Sequence, residues 1–152
     1  MKTYKITKND LDSDNFYKGS SDFDGNVEAD KNLGWVKFKV NFITKGYIHF
    51  EAGSGIEAGL GIKAGEGIKA GSGILCKTIS SKLRIFAGLR NWKLPEKAEM
   101  EIRCEKLIEG QICFGNLVIT VPVAKIETIQ VGSLTFNKAE VEAALKNLKS
   151  LS

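Results

Sequence analysis

The chain has 152 residues, of which 43% are hydrophobic and 26% are charged, and its formal net charge is +4. This length fits a single domain, residues 1–152, and the composition is that of an ordinary globular protein. The longest apolar runs are only a few residues, which excludes a membrane-spanning helix, and the first residues lack the apolar stretch of a secretion signal. We therefore expect a cytoplasmic protein without a membrane partner. The mild positive charge permits contact with a nucleic-acid backbone but does not argue for it.

Residues 1–34 are predicted to form a polar entry segment, with a short strand at Tyr4–Ile6 and a helical turn near residues 10–16. From Val36 to Phe42, apolar residues alternate with lysine and asparagine, which predicts a half-buried strand with a polar outer face. The acidic residues of 10–14 lack the glycine and the distant glutamate of a calcium-binding loop, so we predict no metal site there.

Residues 50–73 contain one six-residue phrase four times: an apolar residue, a charged residue, Ala, Gly, a variable residue and Gly. The copies begin at Phe50, Ile56, Ile62 and Ile68, and a shortened fifth copy covers residues 74–76. Two residues that lie two positions apart point to the same side of a strand, so the apolar residue and the alanine face inward while the charged residue faces water. The Gly-x-Gly that follows is typical of a corner. Each phrase is therefore predicted to be a short strand and a turn.

One such strand cannot bury its apolar side alone, but stacked coils can. The predicted fold class is therefore mainly β, a parallel β-solenoid (β-helix) over residues 35–131 with regular hexads at residues 50–76. Three hexads make a coil of eighteen residues. Apolar residues recur at intervals of 17 or 18, and we interpret this series as one edge of a triangular prism. Its members are Phe16, Leu33, Phe50, Ile68, Ile85, Ile102, Ile119 and Phe136.

Beyond the repeats, strands are predicted at residues 74–79, 83–87, 100–107, 111–114, 117–121 and 125–130. Residues 89–97 interrupt them as a loop that contains Pro95, which cannot donate to a strand ladder. Residues 132–152 are predicted to form a C-terminal capping segment with a short α-helix at residues 138–149. Asn137 is its predicted N-cap, and an apolar stripe that starts at Val141 is expected to cover the open end of the solenoid. A partner-binding or dimerising helix is the alternative.

No set of side chains typical of catalysis is present, so we expect neither an enzyme nor a cofactor. His49 is the only histidine. It lies beside the repeats, where hexapeptide-repeat acyltransferases carry a general base, but an outward strand residue is the simpler interpretation. Cys76 and Cys104 occupy the position that alanine fills in the repeats. Together with Cys113 they are expected to be reduced and structural.

Two groups of residues are the binding candidates. Arg90, Trp92 and Lys93 lie on the loop that interrupts the strands, and arginine and tryptophan are frequent hot-spot residues. The charged residues of the phrases are the second group, predicted to form evenly spaced charges on one rigid outer surface. They are Glu57, Lys63 and Lys69.

The runs GIKAGEGIKAGSGI (residues 61–74) and CKTISSKLRIFAGL (residues 76–89) resemble repeat proteins of Firmicute prophages and mobile elements, over about residues 27–121. In general shape the predicted solenoid is similar to bactofilins, β-helical proteins that polymerise end to end. Mobile-element proteins of this size include inhibitors of host defence, anti-CRISPR proteins among them. The resemblance implies a non-enzymatic binding protein that inhibits a host protein or ribonucleoprotein complex, such as Cas9 or its guide RNA. A self-assembling homo-oligomer of the bactofilin kind is the first alternative, and a hexapeptide-repeat acyltransferase is the second.

Overall fold

A computed structural model describes residues 1–89, 94–120, 128–131, 134–137, 141–143 and 146. The chain divides into two compact units, Met1–Thr120 and Val121–Ser152, and its organisation as a single domain stays a prediction. Every strand pair of the first unit is parallel, and these strands wind through about four turns of a β-solenoid. The predicted fold class is therefore confirmed.

The strands of the first unit stack in three columns, which form the three faces of a prism. We name each face after one outward residue. The His49 face holds β1 (Lys2–Ile6), β3 (Gly25–Ala29), β6 (Ile48–Phe50), β9 (Ile68–Ala70), and the second halves of β11 (Thr78–Ala87) and β13 (Lys106–Phe114). The Lys63 face holds β2 (Asp22–Phe23), β5 (Phe42–Thr44), β8 (Gly61–Ala64), and the first halves of β11 and β13. The Glu57 face holds β4 (Gly34–Phe38), β7 (Ser54–Ala58), β10 (Ile74–Leu75), β12 (Glu101–Cys104) and β14 (Asn116–Ile119). Two 3-10 turns, Lys8–Asp10 and Lys97–Met100, complete the unit.

The core contains, under each face, one ladder of large apolar side chains. The ladders are Val27, Ile48, Ile68 and Ile85; Phe42, Ile62 and Ile79; and Val36, Ile56, Ile74 and Ile102. All of these side chains are at most 1% exposed. Burying each one contributes about 1.5–3 kcal/mol, so the stacked ladders are the main source of stability. The inward position of the repeat isoleucines is as predicted.

The coils are not equal in length, and this overturns the predicted single edge. Ile56 pairs with Ile74, which is the step expected of three hexads. However, Ile48 pairs with Ile68, a longer step, and Ile68 pairs with Ile85, a shorter one. Because the corners differ in length, residues that are 17 or 18 positions apart do not all lie on the same face. Phe50 and Ile85 lie on the His49 face, whereas Ile102 and Ile119 lie on the Glu57 face.

Two predicted strand segments instead turn corners of the prism. The strand predicted from Val36 to Phe42 breaks after Phe38, and Val40 is 51% exposed in the bend between β4 and β5. The first copy of the phrase also bends: Phe50 ends β6, Ala52 is exposed, and Gly53 has a φ of +80°. The left-handed backbone at Gly53 is the reason why this copy turns rather than extends.

The parallel ladder begins earlier than predicted, because β1 already pairs with β3. Three strands within the predicted entry segment, β1, β2 and β3, thus belong to the solenoid. The second unit contains β15 (Thr128–Val131) and β16 (Leu134–Asn137), which pair antiparallel. Of the strand predicted at 125–130, the described residues Thr128–Gln130 thus pair antiparallel rather than parallel, and the predicted capping segment contains β16. Residues 141–143 and 146 are helical, and the capping role of the helix stays a prediction.

Within the described residues, no helix has the length and apolar character needed to cross a membrane.

Candidate functional site

The charged residues of the repeats point outward, as predicted, but they do not share one surface. Glu57 is on β7, Lys63 on β8 and Lys69 on β9, and these strands belong to three different faces. The reason is that one hexad is one side of the prism, so residues six apart are carried around the corner. The surface neighbours of each charge are therefore the outward residues of the adjacent coils on its own face.

Arg90, Trp92 and Lys93 lie outside the described residues. Their predicted role in binding stays a prediction. The flanking described segments show that this part of the chain connects β11 on the His49 face to β12 on the Glu57 face. The chain between Ala87 and Glu101 makes the step from Ile74 to its ladder partner Ile102 longer than the step from Ile56 to Ile74 on the same face.

The His49 face carries a groove of about 580 Å³. Its walls come from three successive coils, and they contain three aromatic or imidazole rings, two cations and one exposed leucine. The side chains are Tyr47, His49, Lys69, Leu83, Arg84 and Phe86, above a floor formed by Ile48, Gly67 and Ile68. A groove of this volume is within the range of sites that bind small ligands or parts of larger ones.

The register of the strands explains the groove. His49 lies beside Lys69, and Lys69 lies beside Phe86, so these three outward side chains form one ladder. Tyr47 and Gly67 immediately precede β6 and β9, and Arg84 lies two residues before Phe86 in β11, so the same register places these three residues beside one another as a second ladder. Gly67 has no side chain, which leaves a depression between Tyr47 and Arg84. A Cβ atom at Gly67 would be 3.1 Å from the carbonyl oxygen of Arg84, so a larger residue would both fill the groove and crowd its floor.

The charges of the groove are unbalanced. Among the described residues, neither Lys69 nor Arg84 makes an ion pair, and no carboxylate lines the groove. The nearby acidic residues are otherwise engaged or lie outside it: Glu51 is 3.9 Å from His49, and Glu28 accepts a hydrogen bond from Tyr47. Glu66, next to Gly67, is exposed. The groove therefore presents two available cations to an anionic ligand.

Tyr47 is held in place on both sides. Its hydroxyl donates to Oε1 of Glu28 at 2.6 Å, and its backbone N–H donates to Oδ1 of Asn26 at 3.1 Å. The hydrogen bond to the Glu28 carboxylate raises the pKa of Tyr47 above its usual value. Because the hydroxyl hydrogen is donated to Glu28, Tyr47 offers the groove its ring and no free hydrogen-bond donor.

The other two faces carry smaller hollows. On the Glu57 face, Trp35, Leu75 and Arg103 line one of about 320 Å³, but Nε of Arg103 contacts Oε2 of Glu101 at 2.7 Å, and Glu57 also lines it. On the Lys63 face, a hollow of about 260 Å³ has Lys63 as the only charged residue among its described lining. The His49 face therefore combines the largest of these openings with two cations that have no carboxylate partner in the described part of the chain.

The cysteines divide into two kinds. Cys76 and Cys104 are buried, as their position in the phrase predicted. Cys113 is exposed, contrary to the prediction of a structural cysteine, because it alternates with the half-buried Ile112 and Phe114 of β13 and therefore faces outward. In the described ranges, no group of three His, Cys, Asp or Glu side chains is arranged to hold a metal ion.

Sequence reasoning missed four residues of the groove, Tyr47, Leu83, Arg84 and Phe86. Tyr47 lies outside the predicted strands, and Leu83 is 58% exposed although alternation places it with the buried Ile85. For Arg84 and Phe86, on either side of Ile85, exposure was predictable from alternation. Their convergence was not, because it depends on the unequal steps that join His49 to Lys69 and Lys69 to Phe86. Comparison with models of protein families, with curated proteins and with solved structures finds no match to this chain.

Proposed function

We propose that this chain is a non-enzymatic binding protein and that the groove of the His49 face is its recognition surface. One observation carries the proposal: two cations without ion-pair partners in the described structure converge with three rings in one groove. Arginine and aromatic side chains are enriched among the residues that dominate binding energy. The floor is a parallel sheet over a buried core, so the side chains are presented on a rigid support and lose little freedom on binding.

The partner that we propose is a host protein or ribonucleoprotein complex, which the chain inhibits by occupying a surface of it. The most concrete form is an anti-CRISPR-like inhibitor of an effector such as Cas9 with its guide RNA. Its support is the resemblance of residues 61–74 and 76–89 to mobile-element proteins, together with a groove suited to an anionic surface. An inhibitor of this kind acts by stoichiometric binding and needs no catalytic residue.

A cleavage assay with a purified effector and its guide RNA tests this proposal. Inhibition should saturate at about one chain per effector, and Phe86→Ala should weaken it by about fivefold or more, as expected for a hot-spot residue. Lys69→Gln should weaken it as well. Lys63→Gln is the matched control, because Lys63 has the same place in the preceding hexad but lies on another face. Cleavage that is unaffected by excess protein, or equally sensitive to both lysine variants, would contradict the proposal.

The last coil of the first unit favours a second candidate, self-assembly of the bactofilin kind. Leu117 and Ile119 pair with the buried Ile102 and Cys104, but they are 38% and 51% exposed. Inward-facing apolar residues at the end of a solenoid are suited to contact with another copy of the chain. Sedimentation over a range of concentrations tests this candidate. Concentration-dependent association that Ile119→Lys abolishes would favour it, and a monomer at all concentrations would exclude it.

A further inference from the structure

We infer that the groove of the His49 face binds single-stranded nucleic acid, with bases against its rings and phosphates at its cations. This inference rests on the proposed function and states which chemical class of the partner contacts the groove. It is carried by the order of side chains along two neighbouring ladders, by two cations without ion pairs in the described structure, and by the state of the Tyr47 hydroxyl.

The first ladder alternates rings and charge. His49, Lys69 and Phe86 follow one another in successive coils, and neighbouring parallel strands are about 4.8 Å apart. One cation thus lies between two ring-bearing residues whose strands are two strand spacings, or about 10 Å, apart. A nucleotide strand likewise alternates flat bases with charged phosphates, so a base on either ring brings a phosphate toward Lys69.

The second ladder places a ring and a cation on opposite sides of an open position. Tyr47 and Arg84 flank Gly67, whose missing side chain leaves room for a flat group on the floor. The Tyr47 hydroxyl is held by Glu28, which leaves its ring as the binding element. Arg84 is exposed and has no ion pair within the described structure, and a guanidinium group can both stack on a base and bind a phosphate.

These features favour a nucleic acid over an acidic protein segment. Two cations alone could bind either partner. The rings in both ladders can also stack on bases, and an acidic peptide has no bases to stack. Stacking of bases on aromatic side chains is the common device of proteins that bind single strands, because every base has a flat face. The bases of a duplex are not available for such stacking, so the strand must be single.

Fluorescence anisotropy with a labelled oligouridine of about twelve nucleotides tests the inference directly. A duplex of the same length and a glutamate-rich peptide of similar length are the competing probes. We expect the oligouridine to bind and Phe86→Ala to weaken it by about tenfold. Lys69→Gln should weaken it too, and should reduce the slope of log affinity against log salt by about 0.7, the value for one phosphate contact on a single strand.

Lys63→Gln is again the matched control and should leave the affinity and the salt slope nearly unchanged. Circular dichroism and the melting temperature of each variant identify any loss of folding, and Phe86→Leu serves as a second, apolar variant that removes the aromatic ring. The inference is overturned if the oligouridine does not bind, if the duplex binds as tightly, or if both lysine variants weaken binding equally. It is also overturned if the acidic peptide binds more tightly through the same residues.

The failure of this inference is distinguishable from failure of the proposed function. If the oligouridine does not bind but inhibition of the effector still depends on Phe86 and Lys69, the groove is a binding surface for protein and only the nucleic-acid inference falls. If neither assay depends on these two residues, both fall.

Discussion

Ser54 and Ser72 occupy the same position of the six-residue phrase, yet only Ser54 is fully buried. Its hydroxyl donates to the carbonyl oxygen of Asp30 at 2.5 Å and accepts the N–H of Leu33 at 3.0 Å. Ser54 therefore satisfies two backbone groups at a corner between the His49 and Glu57 faces. We expect Ser54→Ala to lower the free energy of unfolding by about 1–3 kcal/mol in urea denaturation, because it leaves those groups unpaired. Ser72→Ala, where no side-chain hydrogen bond is present in the described structure, should cost much less; equal losses would contradict this assignment.

At the same scale, the three cysteines should differ in their reactivity toward an alkylating reagent, because one is exposed and two are buried. Iodoacetamide at pH 8 should modify Cys113 in the folded protein and spare the buried Cys76 and Cys104, which react only after denaturation. Mass spectrometry of the alkylated protein identifies the site, and Cys113→Ser should remove the native labelling. Rapid native labelling of Cys76 would show that its coil opens readily.

Cys76 also predicts a dependence of stability on pH. Burial and the nearby Cys104 thiol raise the pKa of Cys76 from 9.0 to about 12. The unfolded chain thus releases this proton at a lower pH than the folded chain, so the contribution to stability is complete below pH 9 and is lost as the pH rises toward 12. The free energy of unfolding of the native sequence should therefore fall more steeply above pH 9 than that of Cys76→Ala. Parallel slopes for the two proteins would contradict the raised pKa.

At the scale of elements, the apolar ladders hold neighbouring coils together. Ile62 is 1% exposed between Phe42 below and Ile79 above. Ile62→Ala should lower the free energy of unfolding by about 2–5 kcal/mol, because it removes buried methyl groups and leaves a cavity within the ladder. Leu60, 42% exposed at the adjacent corner, is the control, and Leu60→Ala should change stability by about 0.5 kcal/mol or less. Similar costs at both positions would argue against a continuous ladder.

At the scale of the whole molecule, the three ladders lie entirely within Met1–Thr120. We expect a chain that ends at Thr120 to fold by itself, with circular dichroism typical of β-structure and one cooperative unfolding transition. The same truncation tests the cap predicted from the sequence. If residues 132–152 act as a cap, the truncated chain should self-associate through the exposed Leu117 and Ile119 more strongly than the full chain. An unfolded truncated chain would contradict autonomous folding, and a monomeric folded one would contradict the cap.

The sequence by itself determined the local structure of the repeats. The spacing of Ile62 and Ala64 in one phrase, with Lys63 between them, dictates which side chains are buried, because alternation is a property of any strand. The same logic located the buried Cys76 and Cys104. It failed at Ala52 and Val40, where the chain bends at a corner, since a short apolar alternation does not reveal where a strand ends.

Only the tertiary structure decided which residues meet. Neighbours on a solenoid face are separated by one coil, and the coil length depends on every corner in it, so the step from His49 to Lys69 is longer than the step from Lys69 to Phe86. A hexad repeat therefore predicts which side chains face the core and which face water, but it does not predict which outward residues become neighbours on one face. Glu57, Lys63 and Lys69 are regular in sequence and lie on three faces, whereas Tyr47, His49, Lys69, Arg84 and Phe86 are irregular in sequence and form one groove. The groove forms because successive coils of the solenoid bring these residues to one face, and the packing of the buried ladders fixes how the coils stack.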